Sequence, residues 1–135
     1  MKNCIKFFGV VVTLLLLLSC NGTPNHITNR YYLVSADAVE DTYLAYCLDD
    51  KEYSFVGVVE KTIFSVGFND SYIIAKQHPA MSEKINYFII PIYKEFTEFP
   101  EKGVIGPLNL EQFEIKTKEL NISGITFTKT IQEIE

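Results

Sequence analysis

Two side chains of the folded region, Cys47 and His78, have the types from which nucleophilic catalysis is built. A thiolate–imidazole pair needs both groups in one cleft within hydrogen-bond reach, with a third group to orient the ring. The surroundings of each favour plainer roles. Cys47 alternates with apolar residues in "YLAYCLDD", the pattern of a buried structural thiol. His78 precedes Pro79 after a strand-like run, the setting of a solvated loop histidine. There is no G-x-S-x-G, no C-x-x-C and no H-E-x-x-H. Asp37, Glu40, Asp41, Asp49 and Asp50 would gather into a weak cation site if the first two strands pair, and are otherwise solvated loop acids. Asp49 and Glu60 are spaced like the ends of a calcium loop, but Lys51 and Tyr53 stand at ligand places and the turn glycine is missing. The expectation is therefore no catalytic residue, no metal ligand, no cofactor and no enzymatic activity.

The remaining chemistry lies at residue 20. Lys2 and Lys6 carry the only charges of the first nineteen residues, and Phe7–Ser19 is uncharged and dominated by leucine and valine. That tract is shorter than the roughly 20 apolar residues a membrane-spanning helix needs. A basic start, a short apolar centre and a small residue at the cut describe a secretory signal peptide. Leu17-Leu18-Ser19-Cys20 resembles the lipobox of bacterial lipoproteins. The resemblance implies cleavage after Ser19, a diacylglyceryl thioether on Cys20 and acylation of the new amino terminus. One acyl chain holds a protein to a bilayer only marginally, and two or more hold it stably. "NGTPNHITN" follows, with one isoleucine and no charge, and reads as a flexible tether. Asn21 stands where an aspartate holds some lipoproteins at the inner membrane, so an outer membrane is expected where the cell has two.

Loss of the leader removes two lysines and no acid, taking the formal charge from -5 to -7. An acidic domain with scattered lysines is unsuited to nucleic acid. Of three cysteines, Cys4 leaves with the leader and Cys20 is acylated, so no internal disulfide is expected. Among the eight tyrosines, Tyr31, Tyr43, Tyr53, Tyr72 and Tyr93 are candidates for outward-facing rings.

The elements that position these residues are mostly strands. "RYYLVSAD" and "TYLAYCL" are aromatic and β-branched runs with the acidic loop "DAVED" between them. "YSFVGVVEKTIFSVGF" continues with a turn at Glu60-Lys61. "TIFSVGFNDSYIIAKQ" predicts a hairpin turning at Asn69-Asp70, with Val66 opposite Ile73 and Gly67 beneath Tyr72. "INYFIIPIY" predicts a buried strand ending at Pro91, and "TEFPEKGVIGPL" a loop. "LNLEQFEIKTKEL" predicts a helix capped by Asn109 and Gln112, with Leu110, Phe113, Thr117 and Leu120 facing the sheet. "GITFTKTI" closes the chain with Ile125 and Phe127 inward. The fold class is α+β: a mainly antiparallel, curved or barrel-like sheet with one helix in the C-terminal half packed on it, preceded by a signal-peptide helix. The domain organisation is 1–19 leader, 20–29 lipidated cysteine and tether, and 30–135 a single globular domain.

With the lipobox, "VVEKTIFSVGFNDSYIIAKQHP", "INYFIIPI" and "IGPLNLEQFEIKTKELNI" together, the chain resembles a group of small bacterial lipoproteins carrying a domain of unknown function. The resemblance implies an envelope lipoprotein of about this length. The expected function is a non-enzymatic binding or accessory module with an envelope protein as partner, an inhibitor of a cationic cell-wall enzyme being one form of it. The alternative is a small hydrolase or ligand carrier.

Overall fold

The computed structural model describes residues 23–35, 37–51 and 54–131. The leader, Ser19, Cys20 and the expected signal-peptide helix lie outside the described residues, as does Tyr53. The first sheet holds β1 (Asn25–Thr28), β2 (Tyr31–Val34), β3 (Tyr43–Cys47) and β4 (Phe55–Val59) in sequence order. The second holds β5 (Ile63–Phe68), β6 (Tyr72–Gln77), β7 (Asn86–Pro91), β8 (Ile105–Leu108) and β9 (Lys129–Thr130), in the order β8-β7-β6-β5-β9. A turn of 3-10 helix occupies Val39–Asp41, and α1 spans Leu110–Glu119. Every strand pair is antiparallel. The α+β class holds, but the strands form two sheets that do not close into a barrel.

Burial explains the layering. One cluster unites Leu33, Leu44, Tyr46 and Val59 of the first sheet with Ile63, Val66, Ile73 and Ile90 of the second, so it lies between them. A second cluster, Ile74, Tyr87 and Ile89 with Phe113 and Ile122, covers the other face of the second sheet with α1. β7 is thus apolar on both faces, which is why its sequence is a continuous hydrophobic run rather than an alternating one. Each fully buried isoleucine contributes about 1.5–3 kcal/mol. The turn expected at Glu60-Lys61 is the passage from one sheet to the other, since β4 pairs with β3 and β5 with β6.

Local chemistry decides several elements. Both arms of the capping box form at α1: the Asn109 side chain accepts from the Gln112 N–H at 2.8 Å, and the Asn109 N–H donates to Gln112 at 3.0 Å. Phe113 and Thr117 are buried as expected, whereas Leu110 is 53% exposed and so is not part of the packed stripe. The β5–β6 hairpin turns at Asp70-Ser71, because Asn69 Oδ1 accepts from the N–H groups of Ser71 and Tyr72, each at 2.8 Å. Val66 therefore faces Ala75, and Phe68 faces Ile73. The displacement from the expected register is two residues, an even number, so each side chain keeps its face. Gly67 faces Ile74, and what covers it is backbone: a Cβ there would meet Thr126 O at 1.9 Å.

Two segments expected as irregular are strands. The last residues of "TEFPEKGVIGPL" form β8, where Pro107 is tolerated because β8 is an edge. Asn25–Thr28, expected within the tether, form β1 on β2. Ile27 is buried, the His26 ring lies 5.0 Å from that of Tyr32, and Lys129 Nζ donates to Asn25 Oδ1 at 2.7 Å. These contacts order a stretch that its own composition would leave loose.

The pairings define two ends of the sandwich. Asn25 lies beside Leu33, and β2 leads from there into the Val39–Asp41 turn; Ile63 N–H donates to Thr42 O and His78 N–H to Thr62 O. This N-terminal end therefore gathers residues 35, 37–42, 60–62 and 78–85. The opposite end gathers the turns at 29–30, 48–51 and 69–71 and the long β7–β8 connection.

Candidate interaction surface

The β7–β8 connection, Ile92–Val104, is held at both feet and along its length. Tyr31 and Tyr46 are fully buried in the first sheet, their rings 5.2 Å apart edge to face, and both send hydroxyls into this connection. Tyr31 Oη donates to Pro91 O at 3.1 Å and accepts from the Tyr93 N–H at 3.2 Å. Tyr46 Oη accepts from the Thr97 N–H at 3.2 Å. Burial pushes the Tyr31 phenol up to about 12, only partly offset by the Tyr93 N–H. Ile92 N–H donates to Ser71 O, and Tyr93 Oη to Lys102 O at 2.6 Å. Pro100 is fully buried, and Gly103 takes a φ of 83° where its α-carbon closes on Pro91. A loop whose ends sit on neighbouring strands and whose interior is packed in this way is a fixed Ω-type loop.

What this anchoring presents outward is two aromatic rings among three glutamates and two lysines, Lys94 and Lys102. Phe96 is 52% exposed and Phe99 51%. The Arg30 guanidinium lies 5.2 Å from the centre of the Phe96 ring and pairs with Asp50 at 2.9 Å. Lys102 Nζ lies 4.4 Å from the centre of the Phe99 ring. Glu95, Glu98 and Glu101 flank the two rings, are exposed, and make no ion pair among the described residues.

The residues singled out from sequence are dispersed. Cys47 is buried and free, with its S–H donating to Asp49 O at 3.0 Å, as expected of a structural thiol. It ends β3 at the loop end, while His78 lies beside Thr62 at the N-terminal end. Strand rise puts these ends roughly 15 Å apart, so the two do not form a dyad. The acidic cluster divides in the same way. Asp37, Glu40 and Asp41 sit at one end of β3 and Asp49 and Asp50 at the other, with Asp41 3.7 Å from Lys61 and Asp50 beside Arg30. Among the described residues no three acids, histidines or cysteines come together as metal ligands. Of the candidate outward tyrosines, Tyr31 is wholly buried, and Tyr43, Tyr72 and Tyr93 are half-buried. A shallow depression of about 360 Å³ lies between Phe68-Asn69 and the Asn121–Thr128 segment, and its lining holds no acid or base. No described helix is long and apolar enough to cross a membrane.

Phe96 and Phe99 were not among the sequence candidates. The signal was present in "EFTEFPE", where Glu-Phe recurs after three residues. The segment reads first as a proline- and glycine-marked loop, and nothing local tells which of its rings face out.

A family model described as "Protein of unknown function (DUF3997)" matches residues 28–132. The chain belongs to this family. The DUF3997 match takes in the strands from β2 onward, α1 and the Ile92–Val104 loop, and begins after the lipobox-like segment. No curated protein and no solved structure matches the chain.

Proposed function

We propose that this DUF3997 protein is a membrane-anchored bacterial envelope lipoprotein, held by lipid on Cys20, that acts as a non-enzymatic binding or accessory module. The observation that carries the reading is the opposition of the two ends. The chain leads from residue 20 into β1 at one end of the sandwich, and the fixed loop bearing Phe96 and Phe99 lies at the other. Anchored through Cys20, the domain turns that loop away from the bilayer, towards other envelope components. Rings held half in solvent by buried tyrosines and a buried proline suit contact with a partner, since aromatic anchors dominate the energetics of protein interfaces. The alternative of a hydrolase loses its Cys47–His78 pair to geometry. In cells with two membranes the proposed home is the outer one, because Asn21 stands where an aspartate would hold the protein at the inner one.

Two measurements test this. Labelled palmitate enters the native protein and is lost on Cys20→Ala, with release of the chain or retention of its precursor; unchanged labelling in that variant rejects the anchor. A soluble form starting at Asn21 inhibits a basic muramidase or retains an envelope protein, and loses that effect on Phe96→Ala/Phe99→Ala. Full muramidase activity together with no retained protein rejects the binding role.

A further inference from the structure

Resting on the binding-module reading, we infer that the Phe96–Phe99 loop is the docking surface itself and that its occupant is a basic, arginine- or lysine-bearing segment of a partner protein. Three features converge on that chemistry. Each ring already holds a cation over its face, Arg30 on Phe96 at 5.2 Å and Lys102 on Phe99 at 4.4 Å. A guanidinium or ammonium is drawn to the negative face of an aromatic ring, most strongly where water is excluded. The three carboxylates Glu95, Glu98 and Glu101 recur at every third residue beside the rings and have no ion-pair partner among the described residues. Glu95 precedes Phe96 and Glu98 precedes Phe99 in the chain, so each ring has an exposed carboxylate on the adjoining residue for an incoming cation.

The chain's own cations do not saturate the surface. Arg30 is committed to Asp50 and donates to Cys47 O, and Phe96 remains 52% exposed beside it. Phe96 also leans on Tyr46, at 6.4 Å between ring centres, which fixes the direction in which it points. Phe99 is set by its N–H donating to Thr97 Oγ1 at 3.1 Å and by buried Pro100 next to it. The surface is formed before binding, so little conformational freedom is lost when a partner arrives. The competing occupant of exposed rings is lipid. It is disfavoured here because residue 25 enters at the opposite end of the strands, and because free carboxylates repel an anionic bilayer.

The sequence contains no tryptophan, which makes a direct test available. The full-length chain carrying Phe99→Trp, purified in detergent, is titrated with a ten-residue arginine peptide and separately with a ten-residue glutamate peptide. The arginine peptide produces a saturable change in tryptophan emission, and the glutamate peptide none. Adding Phe96→Ala weakens the arginine peptide about tenfold, as does Glu95→Gln/Glu98→Gln/Glu101→Gln. Phe96→Leu separates the causes: it keeps an apolar side chain of similar size and loses the ring, so it binds as weakly as the alanine variant. Native-strength binding by Phe96→Leu, or no saturable response at all, overturns the inference. Quenching of the tryptophan by added brominated lipid overturns it in favour of a membrane contact. A partner that binds normally to Phe96→Ala/Phe99→Ala would refute this surface while leaving the binding-module reading in place.

Discussion

Tyr31 makes the anchoring of the loop measurable through alkaline pH. Its hydroxyl is wholly buried, donates to Pro91 O and accepts from the Tyr93 N–H. Burial away from water disfavours the phenolate, and the Tyr93 N–H that would stabilise it offsets only part of that cost. The folded protein therefore holds the proton up to about 12, against the ordinary 10.0 of the unfolded chain. Between those two values the unfolded state has lost a proton that the folded state keeps, so stability is full below pH 10 and falls as pH rises towards 12. The slope for one such group is about 1.4 kcal/mol per pH unit, which accumulates to roughly 3 kcal/mol across the window. Urea unfolding at intervals from pH 9 to pH 12, followed by circular dichroism, measures that slope. Tyr31→Phe removes the titrating group, so the variant loses stability at neutral pH and shows a shallower alkaline decline. At neutral pH two buried hydrogen bonds are lost and a backbone carbonyl and N–H are left without them, costing about 2–3 kcal/mol. An alkaline decline of equal steepness in Tyr31→Phe would refute the assignment of the pH dependence to this residue, and with it the account of how the loop is fixed.

Two further predictions concern the frame. Gly67→Ala places a methyl at 1.9 Å from Thr126 O, so the Ile125–Ile131 segment must leave the edge of β5, at a cost of about 3 kcal/mol. Fast hydrogen exchange at the Thr128 and Ile131 amides would report this, whereas Gly57→Ala, whose nearest neighbour is Tyr43 Cδ2 at 3.9 Å, leaves exchange unchanged. Asn109→Ala removes the acceptor of the Gln112 N–H and lowers stability by about 1 kcal/mol, read from the urea midpoint.

What the sequence made legible was local chemistry. The α1 start is written in Asn109 and Gln112, whose reciprocal bonds need nothing from the rest of the fold. The β5–β6 hairpin and its faces followed from alternation, but its register did not, because Asn69 could serve as a turn residue or as an acceptor for the turn, and geometry chose the second. Features set by distant partners stayed hidden. β1 is ordered by Tyr32 and Lys129, and neither is implied by "NHIT". The acidic cluster looked continuous along the chain and was divided by the length of β3. Phe96 and Phe99 follow the same rule: their exposure depends on Tyr46 and Arg30, which hold the loop from outside its own sequence, and on the burial of Pro100 within it.

The placement of β1 also sets how this domain carries mechanical load. Tension between residue 24 and the Ile92–Val104 loop acts along the strand axes, because the two lie at opposite ends of the sheets. Ladder hydrogen bonds run perpendicular to that direction, so those joining β1 to β2 are sheared together rather than unzipped one after another. The Lys129 ammonium, bonded to Asn25 Oδ1 and His26 O, adds a cross-tie from the far end of the chain to the same strand. A pull on the N-terminal segment is thereby shared between the first strand and the last before it reaches the core.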